Sequence, residues 1–122
     1  MGKIMIVDDN RDIAETLRTI MEIEKHETEL ASNGEEFLSK VENVNPDLVL
    51  LDVMMPGLKT KDILTKLKEK NLEKLKIMLV TVVRFSEEER KFLMEQFKIR
   101  DYVTKPFDVP ELVNRVRNAL IS

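Results

Sequence analysis

The feature that most constrains this chain is a short, wholly apolar run that ends in an acid. Leu48-Val49-Leu50-Leu51 is followed directly by Asp52 and, a few residues later, by the turn Pro56-Gly57. Four apolar residues between polar or turn residues fit a strand covered on both faces, as in a parallel sheet. A carboxylate at the end of such a strand adds nothing to the core, yet it lies where open α/β sheets hold their ligands. The run therefore predicts an α/β fold with Asp52 at its binding edge.

Similar runs recur along the chain at the spacing of an α/β protein. Four other segments have strand character: 4–7, 28–31, 76–80 and 102–103. The first of them stops at Asp8-Asp9 and the third stops at Thr81. Segments with helical apolar spacing separate these runs and follow the last one. Five strands alternating with five helices predict one open, doubly wound α/β sheet, since a closed barrel of this type needs eight strands.

Capping signals predict where two of the helices begin. Ser32-Asn33-Gly34-Glu35 and Ser86-Glu87-Glu88-Glu89 have the Ser-x-x-Glu spacing of a capping box, which predicts helix starts at Ser32 and Ser86. The residues predicted to face inward from the second of these helices are Phe92, Leu93, Met94 and Phe97. His26, the single histidine, lies in the loop before the weak second strand and is predicted to be at the surface.

The composition narrows the class of protein. A length of 122 residues predicts one domain over 1–122 without an output domain, and 43% hydrophobic residues exclude a disordered tail. A net charge of −3 gives no overall attraction for nucleic acid or for an anionic membrane. The absence of cysteine excludes disulfides and thiolate chemistry. With no signal peptide and no membrane-spanning stretch in the sequence, we expect a cytoplasmic protein.

The polar side chains that end the predicted strands share one edge of the sheet. They are Asp8, Asp9, Asp52 and Thr81, with Lys105 shortly after the fifth strand. Converging carboxylates repel one another unless a cation is recruited, and oxygen ligands without a nearby His or Cys favour Mg²⁺ with retained waters. A metal beside a carboxylate, a hydroxyl and a lysine indicates phosphoryl chemistry. Asp52 would attack phosphorus, Lys105 would offset oxygen charge, and Thr81 would donate a hydrogen bond.

Four motifs, in this order and spacing, make the sequence resemble the receiver domains of two-component response regulators. They are Val7-Asp8-Asp9, 51–57, Val80-Thr81 and 101–107, and the match covers essentially the whole chain. The resemblance implies a five-stranded, flavodoxin-like (βα)5 sandwich similar to the stand-alone chemotaxis regulators. It also implies that a histidine kinase phosphorylates Asp52 and that the domain assists its own phosphorylation and dephosphorylation without being an enzyme in the usual sense.

The same resemblance implies a role for each motif residue. Asp9, Asp52 and the Met54 carbonyl would bind Mg²⁺ directly, and Asp8 would act mostly through water. The Lys105–Pro106 peptide bond would be cis, which X-Pro bonds adopt at little cost.

A switch and a partner surface are implied as well. Thr81 would move toward the phosphoryl group and Tyr102 would rotate inward behind it. A downstream protein would then bind the face made by the fourth helix, fifth strand and fifth helix, and neither nucleic acid nor membrane would be bound directly. Basic residues favour an acidic target for this face, which includes Arg84, Phe85, Lys91, Arg100 and Arg115.

Three alternatives remain at the level of the sequence. A phosphorelay intermediate would pass the phosphoryl group onward from the same site. An aspartyl-phosphate phosphatase of the haloacid dehalogenase type needs a second acid two residues after the nucleophile, where this chain has Met54. A flavodoxin-like cofactor carrier needs a phosphate-cradling loop after the first strand, where Asp8 and Asp9 would repel phosphate. Met54 and Val83 offer no side-chain hydrogen bond to a hydrolytic water, so we predict a long-lived acyl phosphate.

Overall fold

Five parallel strands form one sheet with helices on both faces, as predicted. The computed structural model describes residues 2–55, 57–72, 74–97 and 99–121. In chain order the elements are β1 (Lys3–Val7), α1 (Arg11–Ile23), β2 (Glu27–Ala31), α2 (Gly34–Val44), β3 (Leu48–Leu51), α3 (Thr60–Glu69), β4 (Ile77–Thr81), α4 (Glu87–Phe97), β5 (Ile99–Thr104) and α5 (Val109–Ile121). The strand order is β2-β1-β3-β4-β5. Among the described residues, no helix is both long enough and apolar enough to cross a membrane.

The three central strands are buried because both of their faces are covered. Every residue of β3 and β4 is buried, and in β1 only Lys3 is partly exposed. At the edge, β2 exposes Glu27 and Glu29 and buries Ala31. The wholly apolar runs therefore mark the middle of the sheet, and the partly polar run marks its edge.

Two apolar layers hold the helices on the sheet. On one face α1 and α5 pack through residues such as Leu17 and Leu112. On the other face α2 and α3 pack through Phe37 and Ile63, both essentially inaccessible to solvent. β1 and β3 lie side by side, but the chain continues from β1 to β2 on one side and from β3 to β4 on the other. The crevice beyond the carboxyl ends of β1 and β3 is therefore the expected place for a ligand.

The start of α2 differs by one residue from the prediction. Asn33, not Ser32, caps the helix: its side-chain oxygen accepts a hydrogen bond from the Glu36 amide at 2.7 Å. Glu36 in turn accepts from the Ser32 amide, so the reciprocal box is present but shifted. Glu35 is thereby free to accept a hydrogen bond from the Leu58 amide at 3.1 Å, which ties α2 to the loop after β3.

The capping box predicted for α4 is present, but the predicted inward face of that helix is partly wrong. Ser86 and Glu89 exchange hydrogen bonds of 3.0 and 3.1 Å. Leu93 and Phe97 pack against the core, whereas Phe92 is 51% exposed and Met94 is 41% exposed. Three consecutive apolar residues point in three directions around a helix, so they cannot all face the sheet. As a result, α4 has no buried residue among those described.

The prediction that His26 lies at the surface is also wrong. His26 is buried, and its Nδ1 accepts a hydrogen bond from the Gly2 amide at 3.1 Å. The preceding residue, Lys25, has φ 70° and turns the chain after α1 in the left-handed conformation. This turn brings the histidine back under α1, where its own amide donates to the Met21 carbonyl at 3.0 Å. Burial of the ring lowers the pKa of His26 from its ordinary value of 6.5.

Candidate functional site

Three carboxylates converge at the carboxyl end of the sheet. Val7 and Leu51 are paired across β1 and β3, so the residues that follow them, Asp8 and Asp52, leave the sheet side by side. Each of Asp8, Asp9 and Asp52 offers an oxygen within 4.8 Å of the others. Asp8 and Asp52 are buried, and Asp9 is exposed. The structure thus brings together the three acids that the sequence placed at this edge.

Lys105 bridges the two buried acids. Thr81 is paired with Thr104 across β4 and β5, and the Lys105 amide donates to the Thr81 carbonyl at 2.8 Å, which fixes where the lysine leaves the sheet. The Lys105–Pro106 peptide bond is cis. The ammonium group lies 2.6 Å from Asp8 Oδ2 and 3.3 Å from Asp52 Oδ2. With its side chain only 9% exposed, Lys105 contributes a nearly buried positive charge.

The remaining oxygens of the two buried acids accept backbone hydrogen bonds. Asp52 Oδ1 accepts from the Met54 amide at 3.0 Å, and Asp8 Oδ1 accepts from the Asn10 amide at 2.9 Å. Burial raises the pKa of Asp8, and this effect exceeds the opposing effect of the Lys105 hydrogen bond. The carboxylates are therefore held in defined orientations, but Asp8 is an unfavourable place for a negative charge.

The donor set fits a hard divalent cation. One nearly buried ammonium contacts two of three converging carboxylates, which leaves negative charge uncompensated at the site. The described donors at the site are oxygens, without an imidazole or a thiolate. Such a set suits Mg²⁺, which binds through a few carboxylates and keeps several waters. The Met54 side chain is exposed, so Met54 can contribute to the site through its backbone alone.

Thr81 and Tyr102 are both hydrogen-bonded to the backbone of one residue, Val83. The Val83 amide donates to Thr81 Oγ1 at 3.2 Å, and the Val83 carbonyl accepts from the Tyr102 hydroxyl. The same hydroxyl accepts from the Phe85 amide at 3.0 Å. Thr81 is fully buried beside the acids, whereas Tyr102 is half-buried at the outer side of the loop. Thr81 at the site and Tyr102 near the surface are thus connected through the loop between β4 and α4.

The ring of Tyr102 connects this loop to α4. It packs on Phe85 with ring centres 5.4 Å apart, and the Arg90 guanidinium lies 5.7 Å from its centroid. Beside it, a polar cavity of about 360 Å³ opens between α4, β5 and α5, with Arg84, Arg90 and Arg115 in its lining.

The sequence did not indicate the part played by Val83. Val83 forms these hydrogen bonds through its backbone amide and carbonyl, so its side-chain type does not predict them. Only the path of the loop between β4 and α4 reveals the connection, whereas the two side chains it joins were both predicted from their motifs.

Comparison with known proteins identifies the family and the fold of the chain. The family model of the response regulator receiver domain matches residues 4–117. The chain belongs to this family. It is therefore a receiver domain of two-component response regulators, which signal by phosphorylation.

Relatives of this receiver domain include longer proteins. It is 36% identical over 118 residues to the alkaline phosphatase synthesis transcriptional regulatory protein PhoP of Bacillus subtilis, an alignment that covers 97% of this chain and 48% of PhoP. It is likewise 36% identical over 118 residues to the transcriptional regulatory protein ResD of the same organism, with 97% and 48% covered. The chain spans about half the length of the curated relatives it matches.

Solved receiver structures superpose on nearly the whole chain. The response regulator TrrA of Thermotoga maritima, in complex with Mg²⁺-BeF, is 34% identical with a TM-score of 0.80, and 98% of this chain and 99% of TrrA are covered. A CheY-like receiver domain protein from Methanospirillum hungatei is 28% identical with a TM-score of 0.86, with 99% and 94% covered. The order of strands and helices predicted from the sequence is thus confirmed.

Proposed function

We propose that Asp52 is the residue of this receiver domain that accepts a phosphoryl group from a histidine kinase. The observation that carries the proposal is the environment of Asp52: a buried carboxylate held between the Lys105 ammonium, the Met54 amide and two further acids. Asp8 and Asp9 have no structural need to converge there, because charges at this spacing repel. Their convergence is accounted for by a cation site next to a phosphoryl acceptor.

The chemical step is the transfer of a phosphoryl group from a histidine nitrogen to a carboxylate oxygen of Asp52. A carboxylate oxygen of Asp52 attacks the phosphorus of a phosphohistidine, and the P–N bond breaks as the new O–P bond forms. The imidazole leaves with the electron pair of the broken bond and takes up a proton. Mg²⁺, held by Asp9, Asp52 and the Met54 carbonyl with Asp8 acting through water, would offset the negative charge on the phosphoryl oxygens.

Lys105 is the protein's own cation in this step. Its ammonium lies 3.3 Å from Asp52 Oδ2 and is nearly buried, so it needs only a small movement to reach an oxygen of a phosphoryl group on Asp52. The transferred group carries its charge on oxygens, and a low-dielectric site strengthens the interaction of a fixed cation with them. Thr81, fully buried beside Asp52, supplies a hydroxyl that can donate to a second oxygen.

The signal leaves the site through Val83. When the Thr81 hydroxyl turns toward the phosphoryl group, it stops accepting from the Val83 amide, and the loop between β4 and α4 loses one of its ties. The Tyr102 hydroxyl is bonded to the same residue and to Phe85, so its ring is released to move inward. The face of α4, β5 and α5 around Tyr102 then changes, and a downstream protein reads this face.

The lifetime of the phosphorylated state follows from the residues near Asp52. Neither Met54 nor Val83 can orient a water through a side-chain hydrogen bond, so we infer slow self-dephosphorylation. A long lifetime suits a switch that must reach a distant partner. A phosphorelay intermediate uses the same chemistry and differs only in having a second histidine as acceptor.

Incubation with a small phosphodonor such as acetyl phosphate, with and without Mg²⁺, tests the proposal by intact-protein mass. We expect a gain of one phosphoryl group that depends on Mg²⁺ and is absent in Asp52→Asn. A protein that gains nothing, or an Asp52→Asn variant that gains as much as the wild type, would overturn the assignment of Asp52.

A further inference from the structure

The side of the domain formed by α3 and α4 carries an apolar cavity. It has a volume of about 250 Å³ and lies between the carboxyl-terminal halves of the two helices. Leu64 and Leu67 of α3, Ile77 of β4 and Phe97 of α4 supply apolar parts of its wall. This volume is below the roughly 300–1,000 Å³ of typical small-molecule sites, and it suits one large apolar side chain.

The α3 side of this cavity is basic. Residues 59–76 contain seven lysines against three acids, in a chain whose net charge is −3. Lys61, Leu64 and Lys68 follow one another at i, i+3 and i+7, so they share the stripe of α3 that borders the cavity. Lys68 lies at the rim with its ammonium 4.8 Å from the centre of the Phe97 ring.

The α4 side of the same face is acidic and aromatic. Its first turn holds Glu87, Glu88 and Glu89, and Phe92 follows with 51% of its surface exposed. Glu88 and Phe92 are four residues apart and line a shallow groove with Phe85. Phe92 also touches Phe97 edge-on, with ring centres 6.5 Å apart, so a residue of this groove packs directly on a residue that lines the cavity. In the part of the chain that the structure describes, Lys61, Lys68 and Glu88 form no ion pair.

We propose that this α3–α4 face binds a second copy of the chain, with Phe92 of each copy entering the cavity of the other. A two-fold contact places the same patch against itself, so a self-associating patch must contain both halves of every interaction. This face does: an apolar cavity and an exposed aromatic ring, lysines on α3 and a glutamate on α4. Lys61 and Lys68 of one copy face Glu88 of the other.

The contact is expected to be weak, and the unphosphorylated domain already carries the whole face. The apolar part is one ring and one cavity on each side, so the association is transient, with a Kd on the order of micromolar or weaker. The paired charges are exposed, so salt weakens the association. Asp52 lies at the end of the sheet and takes no part, so Asp52→Asn should associate like the wild type.

Analytical ultracentrifugation from about 10 µM to about 1 mM, a range that brackets weak association, measures the contact. We expect the wild type to be a concentration-dependent dimer that dissociates in high salt. Lys61→Glu with Lys68→Glu, and separately Glu88→Lys, should each weaken association at least about tenfold, because like charges then face each other. Phe92→Ala should weaken it as well by leaving the cavity empty. Arg100→Glu, a matched charge reversal on exposed β5, should leave it unchanged.

Mixing the two charge-reversed proteins is the decisive arm of the experiment. In a mixed pair the reversed α3 of one protein faces the reversed α4 of the other, and both contacts again join opposite charges. Equimolar mixing should therefore restore dimers at concentrations at which neither protein dimerises alone. A wild type that stays monomeric over the whole range at low salt, a mixture that stays monomeric, or an Arg100→Glu variant as weak as the α3 variant would each overturn the proposal.

Discussion

Removing the Lys105 ammonium should strongly destabilise the receiver domain in the absence of divalent ions. At an effective dielectric constant of about 20, Lys105 attracts Asp8 by about 6 kcal/mol and Asp52 by about 5 kcal/mol over 2.6 and 3.3 Å. The two acids, with oxygens within 4.8 Å, repel each other by at least about 3.5 kcal/mol on the same scale. In the wild type the attractions to Lys105 exceed the repulsion between Asp8 and Asp52. In Lys105→Met the attractions are lost and only the repulsion remains.

The measurable cost is smaller than these gross terms because desolvation opposes them. Removing one partner of a buried ion pair costs about 3–5 kcal/mol, since a buried charge is left uncompensated. For a domain of 122 residues this corresponds to a fall in Tm of roughly 12–20 °C, at about 4 °C per kcal/mol. Thermal unfolding followed by circular dichroism in EDTA, compared with the wild type, measures it.

Two further variants and a Mg²⁺ titration distinguish the loss of the buried Lys105 charge from nonspecific destabilisation by the substitution. Lys70→Met removes an exposed ion pair of 3.0 Å with Glu42 and should cost no more than about 1 kcal/mol. Asp8→Asn should raise Tm at neutral pH, because the raised pKa of Asp8 means that its negative charge is unfavourable in the folded state. Mg²⁺ should stabilise Lys105→Met more than the wild type. A Lys105→Met variant as stable as Lys70→Met in EDTA would refute the reasoning.

Other expected outcomes concern the phosphoryl lifetime, the buried histidine and a glycine at positive φ. Met54→Asn should shorten the lifetime of the acyl phosphate, since an amide can orient a water; an unchanged or longer decay, followed by intact mass, counts against this. His26, with its pKa lowered by burial, should stabilise the fold above pH 6.5 and lose this contribution as the pH falls through the lowered folded-state pKa, because the unfolded chain then binds the proton more readily. Urea unfolding at several pH values should show that the free energy of unfolding falls as the pH is lowered below 6.5. His26→Gln should reduce this dependence on pH. Gly57→Ala should cost about 1–2 kcal/mol in the same assay, since Gly57 has φ 92° and a Cβ would lie 2.9 Å from Glu35 Oε1; a neutral effect would show that the loop relaxes.

The sheet and the site were predictable because the decisive residues carry a pattern of their own. The apolar runs 4–7, 48–51 and 77–80 are buried on both faces, which is typical of the centre of a parallel sheet covered by helices. The polar residue after each central strand then had to lie at one edge. For this reason Asp8, Asp52 and Thr81 could be grouped from the sequence alone.

The errors arose where a local pattern fits more than one arrangement. Ser32 and Asn33 are both good caps, and only the packing of the α2 start against the loop after β3 selects Asn33. The apolar residues of α4 surround the helix, so periodicity could not show that Phe92 is exposed. His26 is buried because Lys25 adopts a left-handed turn, which a lysine rarely does. The predictions of a cytoplasmic protein without an output domain remain predictions.

The intrinsic fluorescence of Tyr102 tests the central claim, that phosphorylation of Asp52 is transmitted to the surface, most directly. The chain contains one tyrosine and no tryptophan, so this signal reports on Tyr102 alone. With a small phosphodonor and Mg²⁺, we predict a fluorescence change that develops in step with the gain of one phosphoryl group in intact mass. The change should be absent in Asp52→Asn, and in Thr81→Ala it should be reduced relative to the phosphoryl gain. Full phosphorylation of the wild type without any change in Tyr102 fluorescence, or the same change in Asp52→Asn, would contradict the account.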